Sequence, residues 1–466
     1  MIRPIGIISV KAGRKVFLRR GSLMNEELIY HKPITVANML AFALPTTVRM
    51  VFISLYTTVD GIVVSNFVGS MGLSAINIVY PVLNVNMALA FMFSMGSNAL
   101  IGKKLGEGKV SEANRFMTLV VILNLALILV IMGLFFMWDE KIYMFLGSDR
   151  ALLPYCVEYG TLMVAVGPIW TLQILFQGYL VTDDKPGMGL WLSVGSGVLN
   201  IVLDIVLVGV LGMGLTGAAL ASGAGMAIGG ILPLFVFFNK DSLLHFEKPA
   251  RPGNEIFKAM GNGASEMVTS LSSAVTTAMF NIQMMNLAGE KGVAAISALF
   301  YIQFLFVTVF IGFTSGIAPV VSYNYGAENS ENIKKLFRIA VKVIAISSAV
   351  MFLMAEVLNR PMTMIFASHD RLLADMMIPG FRILAVSILL SGVNIFASGY
   401  FTALNNGKVS AVISFLRTFA FQVGALILLP MVLGVDGVWW TLPCAELLSV
   451  AVSVPMLIKY RRTYGY

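Results

Sequence analysis

Charge is scarce in this chain: only 12% of its 466 residues are Asp, Glu, Lys or Arg, against 58% that are hydrophobic, and the mean hydropathy is +0.85. So few polar side chains cannot cover a water-soluble surface, which excludes a soluble globular protein and leaves lipid as the solvent. Cysteine is nearly missing. Cys156 and Cys444 supply neither a disulfide framework nor metal-ligand spacing and read as small packing residues. The three histidines, His31, His245 and His369, fall in termini or loops and form no metal cluster. A Walker-type phosphate loop is lacking, so ATP is not expected to drive the protein, and no paired nucleophile and base marks an enzyme. Residues 1–15 lack a long apolar core and a cleavage site, so they read as a basic cytoplasmic leader rather than a removable signal, with Met24 an alternative start. The net charge of +8 does not indicate nucleic acid, because the basic residues sit in short segments between apolar runs, where membrane topology places them.

What the chain has is long apolar runs. A membrane helix needs about 20 mostly apolar residues to cross roughly 30 Å of hydrocarbon. Twelve such runs are drawn, at 39–66, 74–101, 117–138, 152–181, 188–210 and 215–238, then at 256–287, 293–323, 336–366, 374–404, 409–433 and 438–458. The 43 glycines suit this reading, since small residues let membrane helices approach closely. Lys and Arg collect after every second run: around Arg19, Arg20 and Lys32, at Lys103 and Lys104, at Lys240 to Lys258, at Lys334 and Lys335, at Lys408, and at Lys459 to Arg462. Both termini are therefore expected in the cytoplasm. Asp183, Asp184 and Lys185 form a net acidic exception on that side; Lys141, Arg150, Arg360 and Arg371 are basic exceptions on the other.

Sliding the chain against itself by 220 residues places Gly69, Gly72, Ala75 and Ile76 on Gly289, Gly292, Ala295 and Ile296, Gly96 on Gly316, Gly106 on Gly326, and Gly214 and Gly217 on Gly434 and Gly437. The chain reads as a tandem duplication. Six spans per copy is an even number, so both copies enter the membrane from the same side, and two such lobes can rock about a site between them. The fold class expected is an all-α membrane protein of twelve transmembrane helices in two pseudo-symmetric six-helix lobes. Its parts are a leader at 1–38, an N-lobe at 39–238, a cytoplasmic linker at 239–255, a C-lobe at 256–458 and a tail at 459–466.

A charge inside the membrane costs about 2.5 to 3.5 kcal/mol on insertion scales, so each one is paired, hydrated or titrating. Asp60 lies well inside span 1. Asn200 and Asp204 stand one turn apart on one face of span 5. Asp60 and Asp204 could bind one sodium ion or share protons; alternatively they are two unrelated interior acids hydrogen-bonded to neighbours. Glu266, in span 7, would attract an organic cation or carry a proton, unless it is a structural partner for a lysine or the backbone. Arg417 in span 11 and Glu446 in span 12 could form a structural ion pair. Arg49, Glu356 and Arg382 have no assignable partners. Tyr80, Asn84, Gln173, Gln177, Asn281, Gln283, Tyr301 and Gln303 are each common helix-packing residues singly, but together suggest a wet central cavity. Glu158 reads as interfacial.

Several stretches resemble the multidrug and toxic compound extrusion (MATE) family, of the multidrug export type found in Gram-positive bacteria. They are Val59-Asp60-Gly61, Asn66-Phe67-Val68-Gly69, Gly102 to Gly108, Asn200-Ile201-Val202-Leu203-Asp204, Gly214 to Ser222, Ala318 to Ala327, and Gly434-Val435-Asp436-Gly437. The resemblance covers nearly all of the chain after about residue 38 and rests on the joint order of individually weak motifs. It implies two lobes in a V, alternating access, and antiport of lipophilic or cationic drugs against Na⁺ or H⁺, with no cofactor beyond that ion. By family pattern the cation site maps onto Asp60, Asn200, Asp204 and Ser222, where Ser222 replaces the usual Thr. Some relatives have an acid deep in span 10; here Asn394 and Ser398 occupy that depth, so the coupling site is expected in the N-lobe. The repeat supports this asymmetry, since position 60 corresponds to Phe280 and position 204 to Gly424. The expected partners are small-molecule organic cations and the lipid bilayer of the plasma membrane, with no nucleic acid and the monomer as the unit. A lipid-linked precursor flippase of the same superfamily, with a lumen richer in arginine, and an intramembrane enzyme or receptor are the alternatives.

Overall fold

The computed structural model describes the backbone of residues 28–367 and 370–466, and their side chains except at 57–67, 69, 70 and 73. The expectations for residues 1–27, Met24 and His369 lie outside the described residues.

Among the described residues the regular structure is entirely helical: α1 Val36–Gly106, α2 Val110–Phe145, α3 Leu153–Thr182, α4 Pro186–Leu203, α5 Gly214–Phe238, α6 Asn254–Gly326, α7 Ser330–Ala367, α8 Arg371–Ala403, α9 Gly407–Phe415, α10 Phe421–Leu433 and α11 Val435–Tyr464. A π-helical turn, Asp204–Val210, extends α4, and a second, Leu416–Ala420, joins α9 to α10. Among the described residues eleven helical segments are long and apolar enough to cross a membrane, two of them in α1 and one running from α9 through α10. One of them, α6, has 73 residues, which at 1.5 Å per residue is far more than a bilayer can hold. It breaks at Gly289, whose φ of 65° and ψ of −157° belong to backbone space that is essentially glycine-only. Both ends of α6 meet the last part of α1, Ala259 and Gly263 at Gly96 and Tyr323 at Gly106, so α6 doubles back and supplies two crossings. The fold is that of a multi-pass membrane protein with the twelve crossings expected.

Helices run past the drawn spans at the basic end. Thus α2 begins at Val110, two turns before the apolar run, because its first turns stand beyond the hydrocarbon. At its other end α2 departs from helical geometry at Trp138, where the apolar run stops.

The lobes meet along α1 and α6, and the sequence repeat is written into that interface. Gly106 lies against the backbone of Tyr323, and Gly326 against the backbone of Lys103: these are the same two positions exchanged between copies. Gly96 against Gly263 is matched by Gly316 against Ala43, and Gly102 against Ser322, its own equivalent, marks the pseudo-twofold axis. Further contacts between the lobes sit at the same end. Lys104 pairs with Glu255 at 2.9 Å, Lys103 lies over the Tyr325 ring, and the Asn405 amide donates to the Ala99 carbonyl at 3.1 Å. Nearer the middle of the spans, Ser270 donates to Asn84 at 3.4 Å. Beyond it, the packed cluster of Ala75, Val79, Leu83, Tyr143, Tyr159 and Leu215 draws on the first lobe alone. Among the described residues the printed contacts between the lobes concentrate at the basic end.

The linker is not slack. Leu244 N–H donates to Asp183, His245 N–H to Asn114, Glu247 N–H to Thr118 and Ala250 N–H to the Arg115 carbonyl, which straps it to the first lobe until just before α6. This explains the acidic exception at the basic end: Asp183 is buried, paired with Lys185 and used as an acceptor for the linker.

Candidate functional site

In the first lobe, span 5 is α4 with its π-helical turn. The extra residue of a π-turn re-aims the side chains around it, and such turns recur at functional positions. This one starts at Asp204, whose side chain is fully buried. A carboxylate so placed must be protonated, paired or next to a cation. One turn earlier, buried Asn200 donates from Nδ2 to Ser222 Oγ on α5 at 3.5 Å, and its Oδ1 has no hydrogen-bond partner among the described residues. Gly225 makes this approach possible, since a Cβ there would stand 2.9 Å from the Ser196 carbonyl and 3.1 Å from Asn200 Cβ.

Span 1 runs alongside span 5 in the same direction. Arg49 lies by Gly189, and Phe52 and Tyr56 lie so close to Gly197 that a Cβ there would stand 2.7 and 3.1 Å from their rings. One further turn brings position 60 of α1 level with Asn200 and Asp204, although the Asp60 side chain lies outside the described residues. Asn200 and Ser222 are thus brought together, with Asp204 one turn away. The donors are all oxygens, a set suited to a hard cation such as sodium or to a proton. No cluster of three His, Cys, Asp or Glu side chains occurs among the described residues.

Glu266 stands on the stripe of α6 formed by Ala259, Gly263 and Ser270, which faces the first lobe. It is partly exposed and makes no hydrogen bond or ion pair among the described residues. Tyr301 continues the stripe of Gly312, Gly316 and Tyr323 past the closed region and is 46% exposed; Tyr80, one turn beyond Asn84, is 51% exposed. Four of the amides are hydrogen-bonded to neighbouring helices. Gln173 Nε2 donates to Ser196 at 3.3 Å, Gln177 to Ser193 at 3.1 Å, Gln283 to the Leu426 carbonyl at 3.1 Å and Gln303 to Ser387 at 2.9 Å. Each of these bonds stays inside its own lobe, so they fasten neighbouring helices. In a lipid environment a side-chain amide satisfies itself with the nearest helix, as Gln173, Gln283 and Gln303 do. Asn281 keeps a buried Oδ1 without a partner.

In the second lobe the pairing left open by the sequence is made. Arg417, on the second π-helical turn, reaches Glu446 from Nε at 2.9 and 3.1 Å and from Nη2 at 2.8 Å. Asn394 of α8, whose role the sequence did not reveal, donates to the same carboxylate at 2.6 Å and to the Glu446 carbonyl at 3.0 Å. Arg382 pairs with Glu356 at 3.6 Å, and Arg49 donates to the Gln177 carbonyl at 3.3 Å. Glu158 accepts from Thr216 N–H at 3.1 Å and Oγ1 at 2.6 Å, which makes it a cap for the start of α5 rather than a free interfacial group.

Comparison with known proteins agrees with this architecture. The chain is 24% identical over 450 residues to the multidrug export protein MepA of Staphylococcus haemolyticus, covering 94% of this chain and 96% of that one. It is 21% identical over 428 residues to the FAD transporter of Shewanella oneidensis, covering 88% and 91%. Among solved structures, an outward-facing multidrug resistance MATE family transporter of the MOP superfamily superposes with a TM-score of 0.88 at 22% identity, covering 94% of this chain and 97% of that one. The MatE family model matches twice, over residues 45–206 and again over 266–425, one match per lobe and displaced by about the length of the sequence repeat, and the chain belongs to the MatE family.

Proposed function

We propose that this protein is a secondary transporter of the plasma membrane that exports lipophilic organic cations in exchange for Na⁺ or H⁺, with both termini in the cytoplasm and the single chain as the working unit. The observation that carries the reading is the buried Asp204 and Asn200 at the π-turn of span 5, set in one of two lobes that pack together closely at the basic end. The basic loops make that closed end cytoplasmic, so the cleft opens outward. Asp60, Asn200, Asp204 and Ser222 form the coupling site, and the cleft with Glu266, Tyr80 and Tyr301 takes the organic cation. The N-lobe at 39–238 and the C-lobe at 256–458 are the two rocking units. The relatives' export of drugs supports this reading over an enzyme or receptor, and the acids near the cleft support it over an arginine-lined flippase.

The test is efflux of a cationic dye from proteoliposomes under an imposed Na⁺ or H⁺ gradient. Asp204→Asn, and separately Asp60→Asn, should reduce gradient-driven efflux at least tenfold without affecting membrane insertion. Efflux indifferent to both substitutions, or to both gradients, overturns the proposal.

A further inference from the structure

The second lobe holds three charged groups in the membrane interior close to the cleft: Glu266, Arg417 and Glu446. Spans 7 and 11 run side by side in the same direction, with Asn262 against Gly407 and Gln283 bonded to the Leu426 carbonyl. Arg417 lies between those levels, on the π-helical turn that packs against the helix carrying Glu266. Its guanidinium is engaged by Glu446, through three contacts of 3.1 Å or shorter. Glu446 is in turn fixed twice by Asn394, which is itself fully buried.

The repeat shows that this is a set. The equivalents of Glu266, Arg417, Glu446 and Asn394 in the first lobe are Thr46, Gly197, Met226 and Ile174, none of them charged. Space has been exchanged along with charge. Gly197 packs against the bulky Phe52 and Tyr56, whereas the equivalents of those two residues, Ser272 and Thr276, are small. A helix bundle of this design does not need the ion pair, because its other half is built without one. A buried pair is also a poor source of stability compared with apolar residues of the same volume.

We infer that Glu446, oriented by Asn394, is a positioning residue that holds Arg417 away from Glu266 and so keeps Glu266 available at the cleft floor for a positively charged substrate. The inference rests on the reading of the protein as a cation exporter. Released from Glu446, Arg417 would settle on Glu266 of the adjoining span, and an Arg417–Glu266 pair would cancel the charge that recognises the substrate.

An ordinary structural ion pair is damaged from either side, whereas this arrangement predicts asymmetry. In proteoliposomes exporting tetraphenylphosphonium, Glu446→Gln should raise KM at least tenfold, as Glu266→Gln does, with transport at saturation much less affected. Glu446→Asp, which keeps the carboxylate, should stay within about threefold of the parent. Arg417→Met, which removes the competitor, should retain export, and the double variant Arg417→Met with Glu446→Met should recover from the Glu446→Gln defect. Normal export by Glu446→Gln, loss of export in a folded Arg417→Met, or failure of the double variant to recover each overturns the inference. If Glu446→Gln does not accumulate in the membrane, Arg417→Met and the double variant decide alone. Asp204→Asn separates the two levels: if it also leaves export intact, the cation-coupled reading itself has failed.

Discussion

The glycine pairs of the inter-lobe interface give a perturbation whose consequence can be worked out in advance. Replacing Gly326 by Ala puts a Cβ onto the Lys103 backbone, 2.9 Å from its Cα and 2.7 Å from its carbonyl carbon. Carbon atoms pack best at about 3.5 to 4.0 Å, so the closed lobes must part by roughly 1 Å at this level. Both partners are helix backbone and neither can turn aside. Overpacking of this kind costs about 1 to 3 kcal/mol, which favours the state open at the cytoplasmic end by about 5- to 150-fold. The helix itself gains, because Ala is favoured over Gly in a helix interior by about 1 kcal/mol. The signature is thus a shifted conformational equilibrium with no fall in thermal stability. Gly106→Ala should act in the same direction and to a similar extent, since it meets Tyr323 as Gly326 meets Lys103. Combined, the two should be sub-additive, because the first separates the surfaces that the second would strain. Spin labels at the exposed positions Lys109 and Glu331, in a background without Cys156 and Cys444, read the separation across the closed end. Gly133→Ala, with nothing within 4 Å of the new Cβ, is the control. Unchanged label distances accompanied by a lower melting temperature would refute the argument and assign the glycines to folding within each lobe.

Two further outcomes follow from particular contacts. Tyr30 precedes the first span and bridges the lobes, stacking on Tyr323 with ring centroids 4.5 Å apart while its hydroxyl donates to the Thr182 carbonyl at 2.7 Å. Tyr30→Ala should weaken cytoplasmic closure by about 3 kcal/mol and Tyr30→Phe by about 1, read with the same label pair; an unmoved distribution in Tyr30→Ala would remove this segment from the gate. Glu158→Ala should free the Thr216 amide at the start of α5, with about 1 kcal/mol of stability lost and faster hydrogen exchange at that amide, while export is unaffected; unchanged exchange would show that solvent already satisfies it.

The acids and the glycines differ in how far the sequence alone exposed them. Hydropathy located the spans because twenty apolar residues in lipid have one stable conformation that satisfies the backbone. The Gly106 and Gly326 repeat was legible as spacing, because an exchange between copies leaves the same small residue at the same offset. That those glycines face each other's partners across an axis was not legible. Asp204 stood out because charge is rare inside a span, but the π-turn that begins there leaves no mark on composition.

Side-chain partnerships were the least legible feature. Gln173, Gln283 and Gln303 looked alike as cavity residues, and Asn394 looked like no more than a gap where an acid might have been. Their roles depend on the rotation of each helix about its axis and its height relative to its neighbours. In water an apolar stripe fixes that rotation, but a helix in lipid is apolar nearly all round, and its rotation is set by small-residue contacts and hydrogen bonds to the particular helices beside it. The sequence by itself determined that this chain crosses a membrane as two copies of one six-helix unit. Only the tertiary structure decided that Glu446, rather than Glu266, receives Arg417, because that choice is made by the packing of spans 10, 11 and 12 against one another.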